Sequence, residues 1–392
     1  MRLACEPNTS AVGRPRRLSR RQLLATGGAG VPLSLAAAWA TLQSPSLVVR
    51  EQPRSLPMVP LRDTHKMLSP ALINLVRDRL RWRAEMGVSH LLHWMRVFAD
   101  PSSEEFIPDT AREVISLLTD ARKIESRFGQ AAVIVETDHG IRYLSGLVNR
   151  KLRVDSRPAH PFQELAAFAE AGLPASKPIS TASRTRVLGD AVRDCLLNVQ
   201  LREGRRAEPE WALCVAAHYS AVAAWTNRWG EMISLDGWAS FLLDREPTRF
   251  CCGGTHLLQS LALLLRLARG NEDIALGRRM SERVRNRCSE LSRSLADSQS
   301  PEGTWGAHWI KGAATADYRH RDLHITAHVI EAQLYLPEDL RIAHDSVRRA
   351  LNCLERAFTL ASDDDVMSDY CPYSHAGRVL LRCSATPGRN RI

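Results

Sequence analysis

The chain has 392 residues, of which 44% are hydrophobic and 24% are charged. This length accommodates one large domain or two ordinary ones, and the apolar content excludes an intrinsically disordered chain. The first 40 residues contain six Arg and one Glu, so without them the formal net charge falls from +10 to +5. The rest of the sequence has no Lys/Arg run interleaved with aromatic residues, so we expect no nucleic-acid partner.

The N-terminal 40 residues have the pattern of an export signal. A basic stretch leads into the twin-arginine pair Arg20 and Arg21, a weakly apolar segment follows over 25–38, and Ala38-Trp39-Ala40 matches an A-x-A cleavage site. The apolar segment is too short and too rich in Gly and Ala to form a stable membrane span. We predict a twin-arginine signal peptide over 1–40, the twin-arginine translocation machinery as a partner, and an exported protein (periplasm, cell envelope or extracellular). The alternative is a basic disordered tail.

The organisation after the signal is predicted from prolines and from apolar periodicity. Residues 41–64 contain four prolines and indicate a linker, and Ser69-Pro70 has the pattern of a helix start. Apolar residues then recur at helical spacing to about residue 380, which predicts an all-α domain over 65–383. The polar residues 384–392 indicate a disordered tail.

Three stretches inside the domain need an interpretation. The β-branched run at 131–135 fits a helix that continues to Tyr143 better than an isolated strand. Residues 153–162 and 174–186 interrupt the helical pattern and indicate surface loops. Trp225 and Trp229 are four residues apart, which is typical of packing along one face of a helix.

Histidines recur beside Ser, Thr or Gly where apolar runs begin. They are His90, His139, His256, His328 and His375. Their spacing suits one or two helical hairpins per step, which is typical of a helical-hairpin array. We therefore predict an α/α toroid (a helical-hairpin barrel) with these histidines around its cavity, and an open solenoid as the second choice.

The region 250–380 resembles the α/α-toroid superfamily that includes terpene cyclases and protein prenyltransferase β-subunits. Residues 299–305 (QSPEGTW) match its Q-x3-G-x-W motif, in which Gln and Trp tie one helix end to its neighbour. The order CGGTH at 252–256, then HITAH at 324–328, then SHAG at 374–377 is similar to uncharacterised exported bacterial proteins of that architecture. The prenyltransferase Asp-x-Cys pair and the cyclase D-x-D-D motif are absent, so neither activity is implied.

A zinc site is the first candidate for the chemistry of this region. His324 and His328 are four residues apart, so both imidazoles face one side of a helix. Cys252 and His256 offer further ligands of suitable softness, which makes the predicted metal set Cys252, His256, His324 and His328. Two alternatives stay open: the histidines cap helices or bond to carbonyls in a polar cavity, or a thiol of Cys251-Cys252 acts as a nucleophile beside His256.

The glycines before Thr255 predict a tight turn that Thr255 caps, and the exposed N–H groups there could instead bind an anion. The predicted cavity lining is His90, Cys252, Thr255, His256, Asp322, His324, His328 and His375.

Function is predicted only in outline, and no residue is assigned a catalytic role. The first hypothesis is a His/Cys-lined cavity that binds a small molecule or polymer end, with a metal assisting hydrolysis or lysis. The second is a non-catalytic envelope protein that binds or scaffolds a partner. The third is a metal-free carbohydrate-active enzyme, for which acidic pairs and sugar-stacking tryptophans are candidates, namely Glu231, Asp236, Asp244, Glu302 and Asp322 with Trp225, Trp229, Trp238, Trp305 and Trp309.

Overall fold

The computed structural model describes residues 45–385 apart from gaps at 102, 104, 130–132, 146–157, 202–207, 248–249, 271–273, 275 and 312–318. The predicted signal peptide, with Arg20 and Arg21, lies outside the described residues. Within them the chain is mostly helical, with a few short strands, which confirms the all-α class. The last helix reaches Ser384.

The α-helices of the described residues are α1 (Pro70–Leu80), α2 (Val88–Phe98), α3 (Pro108–Leu118), α4 (Ala121–Phe128), α5 (Gln163–Glu170), α6 (Leu188–Leu197), α7 (Pro209–Tyr219), α8 (Leu235–Leu243), α9 (Thr255–Gly270), α10 (Arg278–Ser298), α11 (Arg319–Tyr335), α12 (His344–Leu360), α13 (Asp363–Ser368) and α14 (Tyr370–Ser384). Single turns of 3-10 helix occupy Thr64–Lys66, Cys252–Gly254, Trp309–Lys311 and Glu338–Leu340. The predicted start at Ser69 is confirmed, because its hydroxyl accepts a hydrogen bond from the Leu72 N–H at 3.2 Å and Pro70 occupies the first turn.

Helices α2, α5, α7, α9, α11 and α14, here called the cycle helices, follow one another in a closed order of contacts. Helix α2 packs on α5, α5 on α7, α7 on α9, α9 on α11, α11 on α14, and α14 back on α2. Helices α2 and α14 are buried on nearly every side, which a helix at the centre of a large core requires.

The remaining long helices flank the cycle and alternate with it along the chain. Helix α1 packs on α12 and α14, α3 on α2, α6 on α7, α10 on α8 and α9, and α12 on α11 and α14. Helix α12 is amphipathic, since its apolar residues Val347, Leu351, Leu354 and Phe358 are buried while positions between them are exposed. The flanking helices therefore bury one face each against the cycle helices.

Short antiparallel hairpins replace helix or loop at three places. Strands β1 (Ile134–Thr137) and β2 (Gly140–Tyr143) pair, so the predicted helix through 131–143 is wrong, and His139 lies in a hairpin turn. The β-branched Ile134 and Val135 and the two-residue connection favour a hairpin over a helix.

The other two hairpins correct two further predictions. Strands β3 (Pro178–Ser180) and β4 (Thr185–Val187) fall within the predicted loop 174–186. Strands β5 (Ala224–Thr226) and β6 (Met232–Ser234) place Trp225 on a strand, where it is buried, and Trp229 beyond its end, where it is 39% exposed. The predicted helical pairing of these two tryptophans is therefore wrong, because the turn residues between them end the strand.

The predicted linker 41–64 is packed on the domain from Pro45 onward, and we call residues 45–62 the strap. Val49 bridges Ser220, and the Arg50 N–H donates to the Tyr219 carbonyl at 2.7 Å. Met58 and Leu61 are buried. The prolines give an extended chain, and its apolar side chains and backbone hydrogen bonds hold it against the domain.

The Gln-Gly-Trp motif ties helices together as the resemblance implies. The Gln299 amide donates to the Ser346 carbonyl at 2.8 Å, which joins the end of α10 to the first turn of α12. The Trp305 indole N–H donates to the Leu295 carbonyl at 2.8 Å, and the Trp305 backbone N–H donates to the Thr326 hydroxyl on α11.

None of the eight cysteines in the described part of the chain forms a disulfide. Among the same residues, no helix combines the length and the apolarity that a membrane crossing needs.

Candidate metal centre

Side chains from the first and middle turns of the cycle helices meet in one cluster that is rich in His and Cys. Contacts between rings, thiols and carboxylates join residues from successive helices. The contributors are His93 from α2, Gln163 from α5, Trp211 from α7, Cys252 from the turn before α9, His256 from α9, His324 and His328 from α11, and Cys371 and His375 from α14. We call this set the His/Cys cluster. The predicted convergence of distant histidines is therefore found for His256, His324, His328 and His375.

A strained turn sets the position of Cys252 before α9. Cys252, Gly253 and Gly254 have φ values of 51°, 66° and 90°. A Cβ on Gly254 would lie 2.6 Å from the Pro247 carbonyl oxygen, so only glycine fits there. The predicted tight turn is thus present, and left-handed backbone at the non-glycine Cys252 is the kind of strain that functional sites carry.

Cys252, His324 and His328 bring one ligand atom each within 4.8 Å of the others, and we call them the first trio. The His324 Nε2 lies 2.9 Å from the His328 Nε2 and 3.9 Å from the Cys252 Sγ. The His256 ring lies 4.6 Å from the His328 ring, centroid to centroid. All four residues of the predicted metal set are therefore neighbours.

His93, Cys371 and His375 form a second trio with the same spacing limit. The His375 ring lies 3.8 Å from the His328 ring, and the Cys371 Sγ lies 3.5 Å from the His324 Nε2. The two trios are therefore adjacent. Sequence reasoning missed His93 and Cys371, although Cys371 precedes His375 by four residues, the spacing that singled out His324 and His328.

Glu331 on α11 orients one histidine of each trio. Its Oε2 lies 2.8 Å from the His375 Nδ1 and 3.4 Å from the His328 Nδ1. Buried charges on Arg96 and Arg378 hold the pKa of Glu331 well below its usual range despite its burial, so it is a carboxylate that can only accept. Both Nδ1 atoms therefore carry hydrogen, and in the neutral form of each ring the Nε2 then presents a lone pair, as in histidines that bind metals.

A further group lies at the partly exposed edge of the cluster. The His160 Nδ1 lies 2.9 Å from a Glu208 carboxylate oxygen, and the Cys251 thiol lies within 4.8 Å of both. The His160 ring stacks on Trp211 with centroids 5.7 Å apart. Burial raises the pKa of Glu210 to about 7, and its carboxylate accepts from the Cys251 N–H at 3.3 Å.

The two cluster thiols favour the thiolate form. A hydrogen bond from Cys251 and the charges of His328 and His256 lower the pKa of Cys252 well below its usual value. Burial opposes ionisation of Cys371, but the charges of His93 and His324 outweigh it and lower its pKa as well. Thiolates are the form of cysteine that binds metal ions.

The imidazoles of the cluster fall into two pairs whose pKa values are shifted in opposite directions. Burial and the charge of His328 lower the pKa of His375 to about 4, and burial also lowers the pKa of His256. The neighbouring thiolates outweigh burial at His324 and His328 and raise the pKa of both. Neutral His375 and His256 can therefore bind a metal ion without first losing a proton.

The other predicted lining residues have mixed positions. The His90 ring packs against Tyr370 at 5.3 Å between centroids, next to Cys371. The Thr255 hydroxyl donates to the Cys252 carbonyl at 2.8 Å and so holds the strained turn. Asp322 lies toward α12, where its charge contributes to raising the pKa of Cys353.

The tryptophans proposed for sugar stacking are mostly inside the core. Trp225, Trp238, Trp305 and Trp309 are buried, and only Trp229 of that set is exposed. The structure thus offers no aromatic platform from the buried four for a carbohydrate ring.

A buried ion-pair network continues from the cluster toward the C-terminal ends of the cycle helices. The Arg96 guanidinium contacts Glu170 at 2.9 Å and Glu331 at 3.0 Å, and Arg378 contacts the same carboxylates at 2.8 and 2.5 Å. The Tyr335 hydroxyl donates to Glu170. Each charge in this network has an opposite partner, which buried ions require.

No protein-family model, curated protein or solved structure matches this chain. What the described residues establish is that buried His, Cys and Glu groups are arranged so that they could hold a metal ion.

Proposed function

We propose that this chain is an exported α/α-toroid enzyme that binds zinc through Cys252, His324 and His328. The closed order of contacts among the cycle helices supports the toroid, and the Arg20-Arg21 motif supports export through the twin-arginine machinery. The reaction is metal-assisted hydrolysis or lysis of a small molecule or polymer end.

One observation is the main support for a bound metal ion. The Nε2 atoms of His324 and His328 lie 2.9 Å apart in a largely buried site, beside the Cys252 thiol. With its Nδ1–H directed at Glu331, neutral His328 presents an Nε2 lone pair, so the 2.9 Å gap is filled either by a hydrogen that the His324 Nε2 donates or by a metal ion that both nitrogens bind. Tetrahedral zinc with its usual bond lengths separates two nitrogens by about 3.3 Å, and nitrogen from sulfur by about 3.5 Å. The His324–His328 distance of 2.9 Å is shorter than the first value and the His324–Cys252 distance of 3.9 Å is longer than the second, each by about 0.4 Å.

Three protein ligands leave one tetrahedral position for water or substrate, which is the arrangement of catalytic zinc sites. His256, which lies against His328 and Cys252, is the candidate for a fourth ligand or for binding substrate. Bound zinc would polarise the reacting group and lower the pKa of a bound water.

The His160–Glu208 pair would perform the proton transfer that hydrolysis or lysis needs. The Glu208 carboxylate holds the His160 Nδ1–H at 2.9 Å, so the Nε2 of His160 presents a lone pair at the edge of the cluster. Both side chains are partly exposed, as are Cys252 and His324, so this edge is where a ligand would enter. Stacking on Trp211 holds the imidazole in place.

Elemental analysis of the purified mature protein tests this proposal. We expect at least one zinc per chain in the wild type, and loss of at least one ion in Cys252→Ala and in His324→Ala. Cys353→Ala and His344→Ala are matched controls, because Cys353 lies on α12 and His344 begins it, away from the cluster. A wild-type protein that takes up no zinc after incubation and desalting would overturn the proposal.

A further inference from the structure

We propose that His93, Cys371 and His375 bind a second metal ion beside the first, so that the cluster is a two-metal centre. This inference rests on the proposed metal chemistry of the first trio but uses a different set of side chains. The two trios share no residue, and they are joined by the 3.5 Å contact of Cys371 with His324 and the 3.8 Å ring contact of His375 with His328.

The tautomer of His93 is fixed for metal binding. Its Nδ1 lies 2.7 Å from the Ser89 carbonyl oxygen, which can only accept, so the Nδ1 carries the hydrogen. The Nε2 is then a lone pair, and the Gln163 side-chain nitrogen lies 3.4 Å from it. At that distance the amide is a weak donor, which a metal ion would have to displace from the lone pair.

His375 is prepared in the same way by a different partner. Its Nδ1 donates to the Glu331 carboxylate at 2.8 Å, which leaves the Nε2 of the neutral ring as a lone pair. A ring nitrogen of His375 lies within 4.8 Å of ligand atoms of Cys371 and His93. A carboxylate behind a ligand histidine both orients the ring and strengthens the nitrogen as a donor. Glu331 contacts one histidine of each trio, so a single carboxylate would orient a ligand of each ion.

Two ions fit the cluster better than one shared ion. Cys252 and Cys371 belong to different trios, and no group of ligand atoms among the described residues contains both thiols. A single tetrahedral zinc that used both would need its sulfurs about 3.8 Å apart. The trios are nevertheless neighbours, and adjacent metal ions that share a bound water or substrate oxygen are a frequent arrangement in hydrolytic sites.

The charge around two bound ions would favour an anionic substrate. Arg96 and Arg378 already balance Glu170 and Glu331, so the network below the cluster adds no net charge. The N-terminal ends of the cycle helices add positive potential. Two thiolates leave two divalent ions with net positive charge, which selects a substrate with an anionic oxygen group as the bridging ligand. Each thiol would release its proton on binding.

Metal titration of the chelator-treated full mature protein separates the possibilities, with cobalt as the probe and elemental analysis as the count. We expect two ions in the wild type, one in Cys252→Ala, one in Cys371→Ala, none in the double variant, and two in Cys353→Ala. The cobalt–thiolate absorption should fall by about half in each single variant, because one of two cobalt–sulfur bonds is lost.

The outcomes distinguish the two proposals. One wild-type ion that both single variants abolish would overturn the second site and leave the first proposal standing. A wild type that binds none would overturn both. Two ions retained in both Cys371→Ala and His93→Gln would place the second ion elsewhere and overturn the assignment. Should Cys371→Ala fail to fold, as judged by circular dichroism, His93→Gln gives the same reading from another helix.

Discussion

The two ends of the cycle helices are both polar and buried, yet they are built on different principles. At the C-terminal end, Arg96 and Arg378 balance the charges of Glu170 and Glu331, and the strap lines a cavity of about 210 Å³ beside them. At the N-terminal end, imidazole nitrogens and thiols converge on each other at distances that suit a shared cation. The C-terminal end stabilises one structure, and the N-terminal end is arranged to bind a ligand.

The largest loss of stability should come from removing a carboxylate of the buried ion-pair network. Glu331→Ala leaves Arg96 and Arg378 short of a buried counter-charge, and we expect a loss of about 3–5 kcal/mol in the free energy of unfolding. Denaturant unfolding of the chelator-treated protein measures it without any metal contribution.

Glu338→Ala is the matched control, because Glu338 pairs with Arg62 at an exposed site and should change stability by less than about 1 kcal/mol. Equal, small losses in both variants would mean that the buried network does not specify the structure.

The next largest loss of stability is expected at the turn that positions Cys252. Gly254→Ala places a Cβ against the Pro247 carbonyl at φ 90°, and we expect a loss of about 2–3 kcal/mol together with weaker zinc binding, because Cys252 is displaced. Gly129→Ala is the comparison: its φ is 65° but no atom lies within 4 Å of the added Cβ, so about 1 kcal/mol is expected with zinc binding unchanged. A Gly254→Ala protein with full zinc affinity would contradict the role of the turn.

Another buried carboxylate, Glu164, belongs neither to the ion-pair network nor to the His/Cys cluster. Burial raises its pKa to about 8 from an ordinary value of 4.5, and its Oε2 has no hydrogen-bond partner among the described residues. The folded protein therefore holds a proton there that the unfolded chain has released, and stability falls as pH rises from about 4.5 to 8. Between pH 6 and 8 the loss should be about 2–3 kcal/mol.

Glu164→Gln removes this titration while keeping the shape of the side chain. The variant should show a flatter stability profile than the wild type over pH 6–8, and should be more stable at pH 8. Denaturant unfolding at several pH values measures both. Parallel profiles for the two proteins would show that Glu164 titrates normally in the fold.

The sequence predicted the helical class and part of the cluster because both depend on local spacing. An interval of four residues on one helix places His324 and His328 side by side whatever surrounds them, and the Gly253-Gly254 pair signals a turn by its backbone alone. The same interval separates Cys371 from His375 and carries equal information.

What the sequence could not provide is which helix faces which. His90 and His93 both lie in the first turns of α2, and only the packing of α2 against α14 decides that His93 meets His375. The role of Glu331 required the same knowledge, since its partners Arg96 and Arg378 come from two other helices. Hairpins were missed because tertiary packing of short β-branched segments outweighed a weak helical pattern.

The smallest effect should be that of Cys252→Ala on the metal-free protein. Cys252 is partly exposed and has strained backbone, so its removal should change the free energy of unfolding by less than about 1 kcal/mol. Zinc should raise the melting temperature of the wild type and raise that of the variant less, because binding to the folded state alone stabilises it. A large loss without metal would mean that the thiol is part of the structural core, and the contrast between the two ends would disappear.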